Sequence, residues 1–256
     1  MDRIALLPPA FLRARLDRIQ SKLDNMPTLK LGIHGDRNVI REYYYVDGIR
    51  HQREYLLSRR NGKAKMEQLR IRGELIREQQ SIDSLLVPLA EQSVIDTSKV
   101  KTPFGKEFWE SLGSEMNDMR IETDYVHKGI RMRSRGEIVI AQVLDSLGLE
   151  YKYEPRIRID GDMYFPDFVV YIPEFERCFF IEFLGMIDDK EYSLKNGMKL
   201  GIYMNAGIVP NRDLLMFCGT RNSMVSVEEI TADLIALIRK YCDQYILSAD
   251  QLLNST

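Results

Sequence analysis

The spacing of apolar positions changes along the first third of the chain, and each spacing predicts a different element. From Pro9 to about Leu23, apolar residues recur every three or four positions, which predicts an amphipathic helix. Turn-forming residues at 35–38 and 47–48 then separate segments rich in β-branched and aromatic residues. These features predict short strands over 29–33, 39–46 and 52–57. A long helical pattern over about 63–86 follows, with basic residues on its polar face: Lys63, Lys65, Arg70, Arg72 and Arg77.

The rest of the chain alternates strand and helix patterns in a more informative order. A polar segment at 93–103 predicts a loop, and a helix over about 104–116 contains the single tryptophan, Trp109. Periodicity and turn residues then predict helix, three strands, helix, strand and helix, over 134–147, 151–159, 165–172, 178–184, 188–205, 214–217 and 227–247. We therefore predict an α/β (α+β) fold of two domains. Residues 1–117 form a helix–meander–helix domain, and residues 118–256 form an αβββαβ mixed-sheet core.

Composition narrows the class of protein. With 256 residues, 45% of them apolar and 29% charged, the chain can bury a large core, which excludes disordered and collagen-like proteins. No apolar run approaches the roughly 18–20 residues of a membrane span, and the first residues predict no signal peptide. The cysteines, Cys178, Cys218 and Cys242, are far apart, so we expect reduced thiols, no zinc ribbon and a cytoplasmic location.

The charge is distributed unevenly along the chain. Residues 1–80 contain 17 Lys and Arg against 10 Asp and Glu, whereas the remainder contains 19 against 28. Three tyrosines, Tyr43, Tyr44 and Tyr45, crowd the central strand of the basic meander. Two interpretations stay open for this part. It is either a nucleic-acid platform, because Lys and Arg neutralise phosphates and aromatic rings stack on bases, or a small sheet whose tyrosines pack on the long helix.

Three acidic residues in the second part suggest chemistry. Asp167 lies in the apolar segment 164–170 and Glu182 in the apolar segment 178–185, where a carboxylate is costly unless it is paired or binds a cation. Two such carboxylates on neighbouring strands would repel each other without a metal ion between them. Mg²⁺ prefers oxygen ligands and usually takes one or two protein carboxylates. Glu137, at the start of a predicted helix, is a third acid that can face the same point. The alternative is that Asp167 and Glu182 are acids at strand ends on a solvent face.

The order of these acids resembles a known superfamily. The residues that carry the resemblance are Arg133-Ser134-Arg135-Gly136-Glu137, Phe165-Pro166-Asp167-Phe168 and Ile181-Glu182-Phe183-Leu184-Gly185-Met186. They resemble the restriction-endonuclease-like, or PD-(D/E)XK, nucleases, and the resemblance covers about residues 120–220. More loosely, the whole chain resembles proteins of bacterial chromosomes and mobile elements in which a helix–meander–helix segment precedes this core.

One position departs from the superfamily's pattern. Its third motif residue is usually lysine, and Leu184 stands there instead. In several branches the lysine lies on the following helix, where this chain has Lys195 and Lys199 on one face. The spacing of Lys199, Tyr203 and Gly207 is similar to that branch, so Lys199 is the predicted active-site lysine and Lys195 the reserve.

The resemblance implies a metal-dependent endonuclease. Asp167 and Glu182 would bind Mg²⁺ (or Mn²⁺), Glu137 would join the metal site, and Lys199 would stand beside the scissile phosphate. Arg131, Arg133 and Arg135, with Lys195, would contact neighbouring phosphates of a nucleic acid, which we expect to be DNA. The arginines could equally decorate a loop. The alternative function is a catalytically inactive nucleic-acid-binding or assembly module with the same fold. The sequence leaves open whether the chain acts alone, as a homodimer or in a larger complex.

Overall fold

The chain has an α/β fold, as predicted, with helices beside antiparallel and mixed sheets. The computed structural model describes residues 3–86, 95, 100–113 and 123–245. Contacts divide the chain into two compact units, one of residues Leu12–Glu91 and one of Met1–Phe11 with Gln92–Thr256. The first is called the small unit below and the second the large unit. The boundary predicted at 117/118, most of the loop predicted at 93–103 and residues 246–247 of the last predicted helix lie outside the described residues.

The small unit contains a three-stranded antiparallel sheet and a long helix. Its elements, with helix α1 beginning in the large unit, are α1 (Pro9–Asp24), β1 (Thr28–His34), β2 (Arg37–Val46), β3 (Ile49–Leu56) and α2 (Arg60–Leu86). The strand order is β1-β2-β3, with tight turns at the two predicted places. Strand β3 begins three residues earlier than predicted, because it pairs with β2 directly from the turn at 47–48.

Two of the five basic residues predicted on the solvated face of α2 lie elsewhere. Lys65 Nζ donates to Glu42 Oε1 at 2.6 Å, and Arg72 Nη1 donates to the carbonyl oxygen of Leu23 at 2.8 Å. Both side chains are partly buried in these contacts. The prediction that they lie on the solvated face is therefore wrong, because each one satisfies a polar group within the small unit.

The large unit is built around a four-stranded mixed sheet of order β11-β10-β9-β6. Strand β10 pairs antiparallel with β9 and parallel with β11, and β9 pairs antiparallel with β6. The elements are α3 (Lys106–Ser111), β4 (Val126–His127), β5 (Ile130–Arg131), α4 (Arg135–Ser146), β6 (Glu150–Tyr153), β7 (Ile157–Ile159), β8 (Asp162–Tyr164), β9 (Phe168–Ile172), β10 (Arg177–Leu184), α5 (Lys190–Asn205), β11 (Leu214–Cys218) and α6 (Val227–Tyr245).

Helices cover both faces of this sheet. On one face Phe180 packs against Phe104 just before α3, with ring centroids 5.0 Å apart, and Tyr203 of α5 is fully buried. On the other face Arg177 lies over the ring of Tyr241 in α6, and α4 contacts α6. The alternation of side chains along β10 therefore sends Phe180 and Glu182 toward α5, and Arg177 and its alternate neighbours toward α4 and α6.

Three predicted boundaries in the large unit are wrong. The strand predicted over 151–159 is two strands in different sheets, because Pro155 lacks an N–H and Glu154 before it adopts a left-handed conformation (φ 42°). The strand predicted over 165–172 begins only at Phe168, after Pro166. The helix predicted over 104–116 ends at Ser111 within the described residues. Across the described residues, no helix has the length and apolar character that crossing a membrane requires.

Candidate active site

The start of β9, the end of β10, the start of α4 and helix α5 surround one cavity of about 470 Å³ in the large unit. Its walls include four residues that the sequence singled out as catalytic: Glu137, Asp167, Glu182 and Lys199. Glu137 belongs to α4, Glu182 to β10 and Lys199 to α5, and Asp167 directly precedes β9. The sheet and two neighbouring helices therefore form the site. The structure therefore places the four predicted residues, which lie up to 62 positions apart in sequence, on the wall of one cavity.

Lys199 reaches the carboxylate of Glu182 from the helix. Its Nζ donates to Glu182 Oε2 at 2.8 Å and lies 2.7 Å from Oε1, and it also donates to the carbonyl oxygen of Phe165 at 2.9 Å. Glu182 is 2% exposed, and Tyr203 donates its hydroxyl proton to Oε1 at 2.9 Å. Burial raises the pKa of Glu182 above its ordinary value, and the positive charge of Lys199 opposes that rise.

Asp167 is oriented by the neighbouring strand. The backbone N–H of Phe183 donates to Asp167 Oδ2 at 2.6 Å. The pKa of Asp167 is raised well above its ordinary value, first by burial and then by the negative charge of Glu182. Two carboxylates that repel each other in one cavity form a place where a cation lowers the free energy.

Glu137 has a local structural role as well as a place in the cavity. Ser134 caps α4 by accepting from the backbone N–H of Glu137, a helix start typical of Ser-x-x-Glu sequences. The Glu137 carboxylate in turn accepts hydrogen bonds from Ser134 Oγ at 2.9 Å, from the Arg133 N–H at 2.8 Å and from the Tyr153 hydroxyl at 2.6 Å. This network fixes the carboxylate at the cavity wall.

The oxygen donors fit a hard divalent cation. Asp167 and Glu182 offer carboxylate oxygens. Phe183 also lines the cavity, and its carbonyl accepts a 3.4 Å hydrogen bond from Tyr192. Within residues 3–86, 95, 100–113 and 123–245, no three His, Cys, Asp or Glu side chains form a metal-binding group. The predicted set of Asp167, Glu182 and Glu137 is thus not gathered as a three-carboxylate cluster. One or two carboxylates are the usual protein share of a Mg²⁺ site.

The structure separates the four residues predicted to contact nucleic acid. Arg135 lines the cavity and is exposed, with its Nε 3.1 Å from the Tyr125 hydroxyl. Arg133 also lines the cavity, but its guanidinium forms a two-pronged ion pair with the buried carboxylate of Glu154. Arg131 and Lys195 are not among the residues that line the cavity.

Sequence reasoning missed two residues that organise the site. Tyr153 bonds to Glu137, and Glu154 holds Arg133 with an Nε–Oε1 distance of 2.6 Å. The sequence pattern predicts both residues in the interior of one strand over 151–159. The Glu154-Pro155 step is a signal for Glu154 alone, because proline cannot donate to a strand ladder and restricts the backbone of the residue before it. Tyr153 pairs with Phe168 in β6 and carries no such local signal.

No protein-family model, curated protein or solved structure matches this chain.

Proposed function

We propose that this chain is a divalent-metal-dependent nuclease that hydrolyses phosphodiester bonds in DNA. The observation that carries the proposal is the contact of Lys199 with Glu182 in a cavity that Asp167 and Glu137 also line. The resemblance of the motif series to restriction-endonuclease-like nucleases makes DNA the substrate that we propose.

Each residue has a distinct task in this mechanism. Asp167 and Glu182 would hold Mg²⁺ or Mn²⁺, which when bound supplies Lewis acidity and activates water at neutral pH. Lys199 places a fixed positive charge where charge develops on the phosphate oxygens, an effect commonly worth about 10²–10³ in rate. Arg135, exposed at the cavity wall, contacts an adjacent phosphate. Tyr203 and the Phe183 N–H keep the two carboxylates in position.

The test is cleavage of plasmid and linear DNA by the full-length chain with Mg²⁺ or Mn²⁺ and with EDTA. We expect metal-dependent cleavage that Asp167→Ala and Glu182→Ala abolish and that Lys199→Met reduces about 10²–10³-fold. Lys195→Met is the matched control, because Lys195 lies one turn earlier on the same helix, is exposed and does not line the cavity. Calorimetry with Mn²⁺ should show binding that Asp167→Ala loses and Lys199→Met keeps.

Two outcomes would overturn the proposal. A wild-type chain that cuts no DNA or RNA with either metal contradicts the nuclease activity. Loss of cleavage in Lys195→Met, with full cleavage in Lys199→Met, contradicts the assigned lysine.

One observation favours the alternative of a catalytically inactive binding module. Lys199 and Tyr203 already donate to both oxygens of Glu182, an arrangement that keeps this carboxylate paired without a metal ion. A chain that binds DNA but neither binds Mn²⁺ nor cleaves would be that module.

A further inference from the structure

The three-stranded sheet of the small unit has two chemically different faces. Side chains alternate along each strand, and the pairing of Lys30 with Arg41 and of Tyr45 with Arg50 shows which ones share a side. One side, called the basic face here, carries Lys30, Arg37, Arg41, Tyr43, Tyr45 and Arg50.

Helix α2 packs on the other side of the sheet. Lys65 of α2 donates a hydrogen bond to Glu42, and its ammonium lies 5.4 Å from the ring centroid of Tyr55. Glu42 and Tyr55 both belong to the side of the sheet opposite the basic face. Buried Leu29 and Ile40 lie on that same side. The basic face has one buried side chain, Val39, and is otherwise a surface separate from the side on which the helix packs.

The charges of the basic face are mostly unneutralised within it. Glu54 is its one acidic side chain, and it is paired with Arg41 at 2.7 Å and with His34. Lys30, Arg37 and Arg50 are exposed. Arg37 and Arg41 lie four residues apart on β2, roughly 13 Å at the rise of a strand. This spread of positive charge complements a long polyanion rather than a single small anion.

The tyrosines on and beside this face are already in contact with cations or other rings. The Arg50 guanidinium lies 4.2 Å from the ring centroid of Tyr43. On the opposite side, Tyr44 stacks on His51 at 5.6 Å. Only Tyr45, which is 71% exposed, presents its ring openly among these three. Base stacking, the main contact of single-stranded binders, is therefore largely unavailable, and contacts to phosphates remain.

We infer that the basic face binds the phosphate backbone of double-stranded DNA. This names the substrate-binding surface and rests on the proposed function for its substrate class. The major groove of B-DNA is about 12 Å wide and admits a two-stranded β-ribbon. The β2–β3 hairpin, with Arg50 and Tyr45 at its end, has that form.

The test is fluorescence anisotropy with a labelled 20-bp duplex, using the full-length chain carrying Asp167→Ala so that DNA is not cut. The sheet variant adds Lys30→Ala, Arg37→Ala and Arg50→Ala. The matched helix variant adds Lys63→Ala, Arg70→Ala and Arg77→Ala, which removes the same charge from residues spaced seven apart along one side of α2. Circular dichroism melting checks that both variants are folded.

We expect the sheet variant to bind at least tenfold more weakly than the parent near 100 mM salt. Its slope of log K against log salt should be smaller by about 2.7, the value for three lost phosphate contacts. The helix variant should change affinity less than threefold. Equal losses in the two variants, or none in the sheet variant, would overturn the assignment, as would tighter binding of single-stranded DNA or RNA through the same residues.

The outcome for the basic face is distinguishable from the outcome for the nuclease. If the sheet residues matter for binding but the wild-type chain cleaves nothing, the proposed function fails and the DNA-binding face stands. If the wild-type chain cleaves DNA and the sheet variant binds as the parent does, the face assignment fails and the nuclease stands.

Discussion

At the scale of single residues, the two cavity carboxylates oppose folding at neutral pH. The pKa of Asp167 is raised by burial and by Glu182. A carboxyl group with a higher pKa in the folded state holds its proton more tightly there. It contributes stability below its unfolded pKa, and this contribution is lost as the pH rises through the folded pKa. The cavity carboxylates therefore lower the stability of the folded chain at neutral pH, as groups at functional sites often do.

Asp167→Asn should therefore stabilise the metal-free chain at high pH. The asparagine oxygen can still accept from the Phe183 N–H, while the repulsion with Glu182 disappears. We expect the melting temperature in EDTA to rise by about 2–4 °C at pH 8, which corresponds to ~1 kcal/mol in a chain of this size. The gain should shrink as the pH falls through the raised pKa of Asp167, because the carboxyl then takes up its proton.

Asp189→Asn is the control, because its effect on stability should depend on pH in the opposite direction. The backbone N–H of Tyr192 holds the pKa of Asp189 below its ordinary value, so Asp189 stabilises the chain above its unfolded pKa and less as the pH falls. Differential scanning fluorimetry from pH 4 to 8 compares the variants. A wild-type chain as stable as Asp167→Asn at pH 8 would contradict the repulsion.

The sequence predicted part of the site for a physical reason. Asp167 and Glu182 stand out because a carboxylate in an apolar segment is costly to bury without a partner, and the apolar segment can be recognised from neighbouring residues alone. Tyr153 and Glu154 do not stand out, because tyrosine is ordinary in strands and their partners, Glu137 and Arg133, lie 16 and 21 positions away. Their roles arise only when α4 packs beside β6.

At the scale of elements, helix α2 contains two glycines with opposite surroundings. A Cβ at Gly62 would overlap the backbone carbonyl of Leu56, which cannot rotate away, whereas a Cβ at Gly73 would meet Arg77 Nη1 at 3.7 Å, an ordinary contact. We expect Gly62→Ala to lower the free energy of unfolding by about 1–3 kcal/mol. Gly73→Ala should raise it by about 0.5–1 kcal/mol. Urea denaturation measures both, and changes of the same sign would contradict this packing.

Element order was predictable from the sequence, whereas some element ends were not. The amphipathic helices and the turns at 35–38 and 47–48 depend on neighbouring residues, so their signals are local. The division of 151–159 into β6 and β7 depends on which strand each half pairs with. Apolar residues continue to alternate across Pro155, so the alternation alone does not show that β6 ends there, and the two halves pair with different strands.

At the scale of the whole molecule, the basic face and the cavity belong to different compact units. The small unit has 16 Lys and Arg against 11 Asp and Glu, so its net charge is +5, whereas the net charge of the whole chain is −2. Binding and chemistry should therefore respond to different substitutions.

Steady-state cleavage separates the two contributions. In a chain with Asp167 intact, Lys30→Ala, Arg37→Ala and Arg50→Ala should raise KM for duplex DNA at least tenfold and leave kcat within about twofold, since lost uniform binding changes KM alone. Lys199→Met should lower kcat with little change in KM. Equal effects of the sheet substitutions and of Lys199→Met on kcat would contradict the separation of binding from chemistry.

The placement of Lys199, the proposed active-site lysine, on α5 determines when the site is complete. The strand position two residues after Glu182 is buried Leu184, so the positive charge is present only while α5 is docked. Tyr203 is the only buried side chain among the sixteen residues of that helix. Helices with few buried contacts are the first to open in local unfolding. Reactivity would then follow a reversible opening of one helix, with the rest of the sheet still intact.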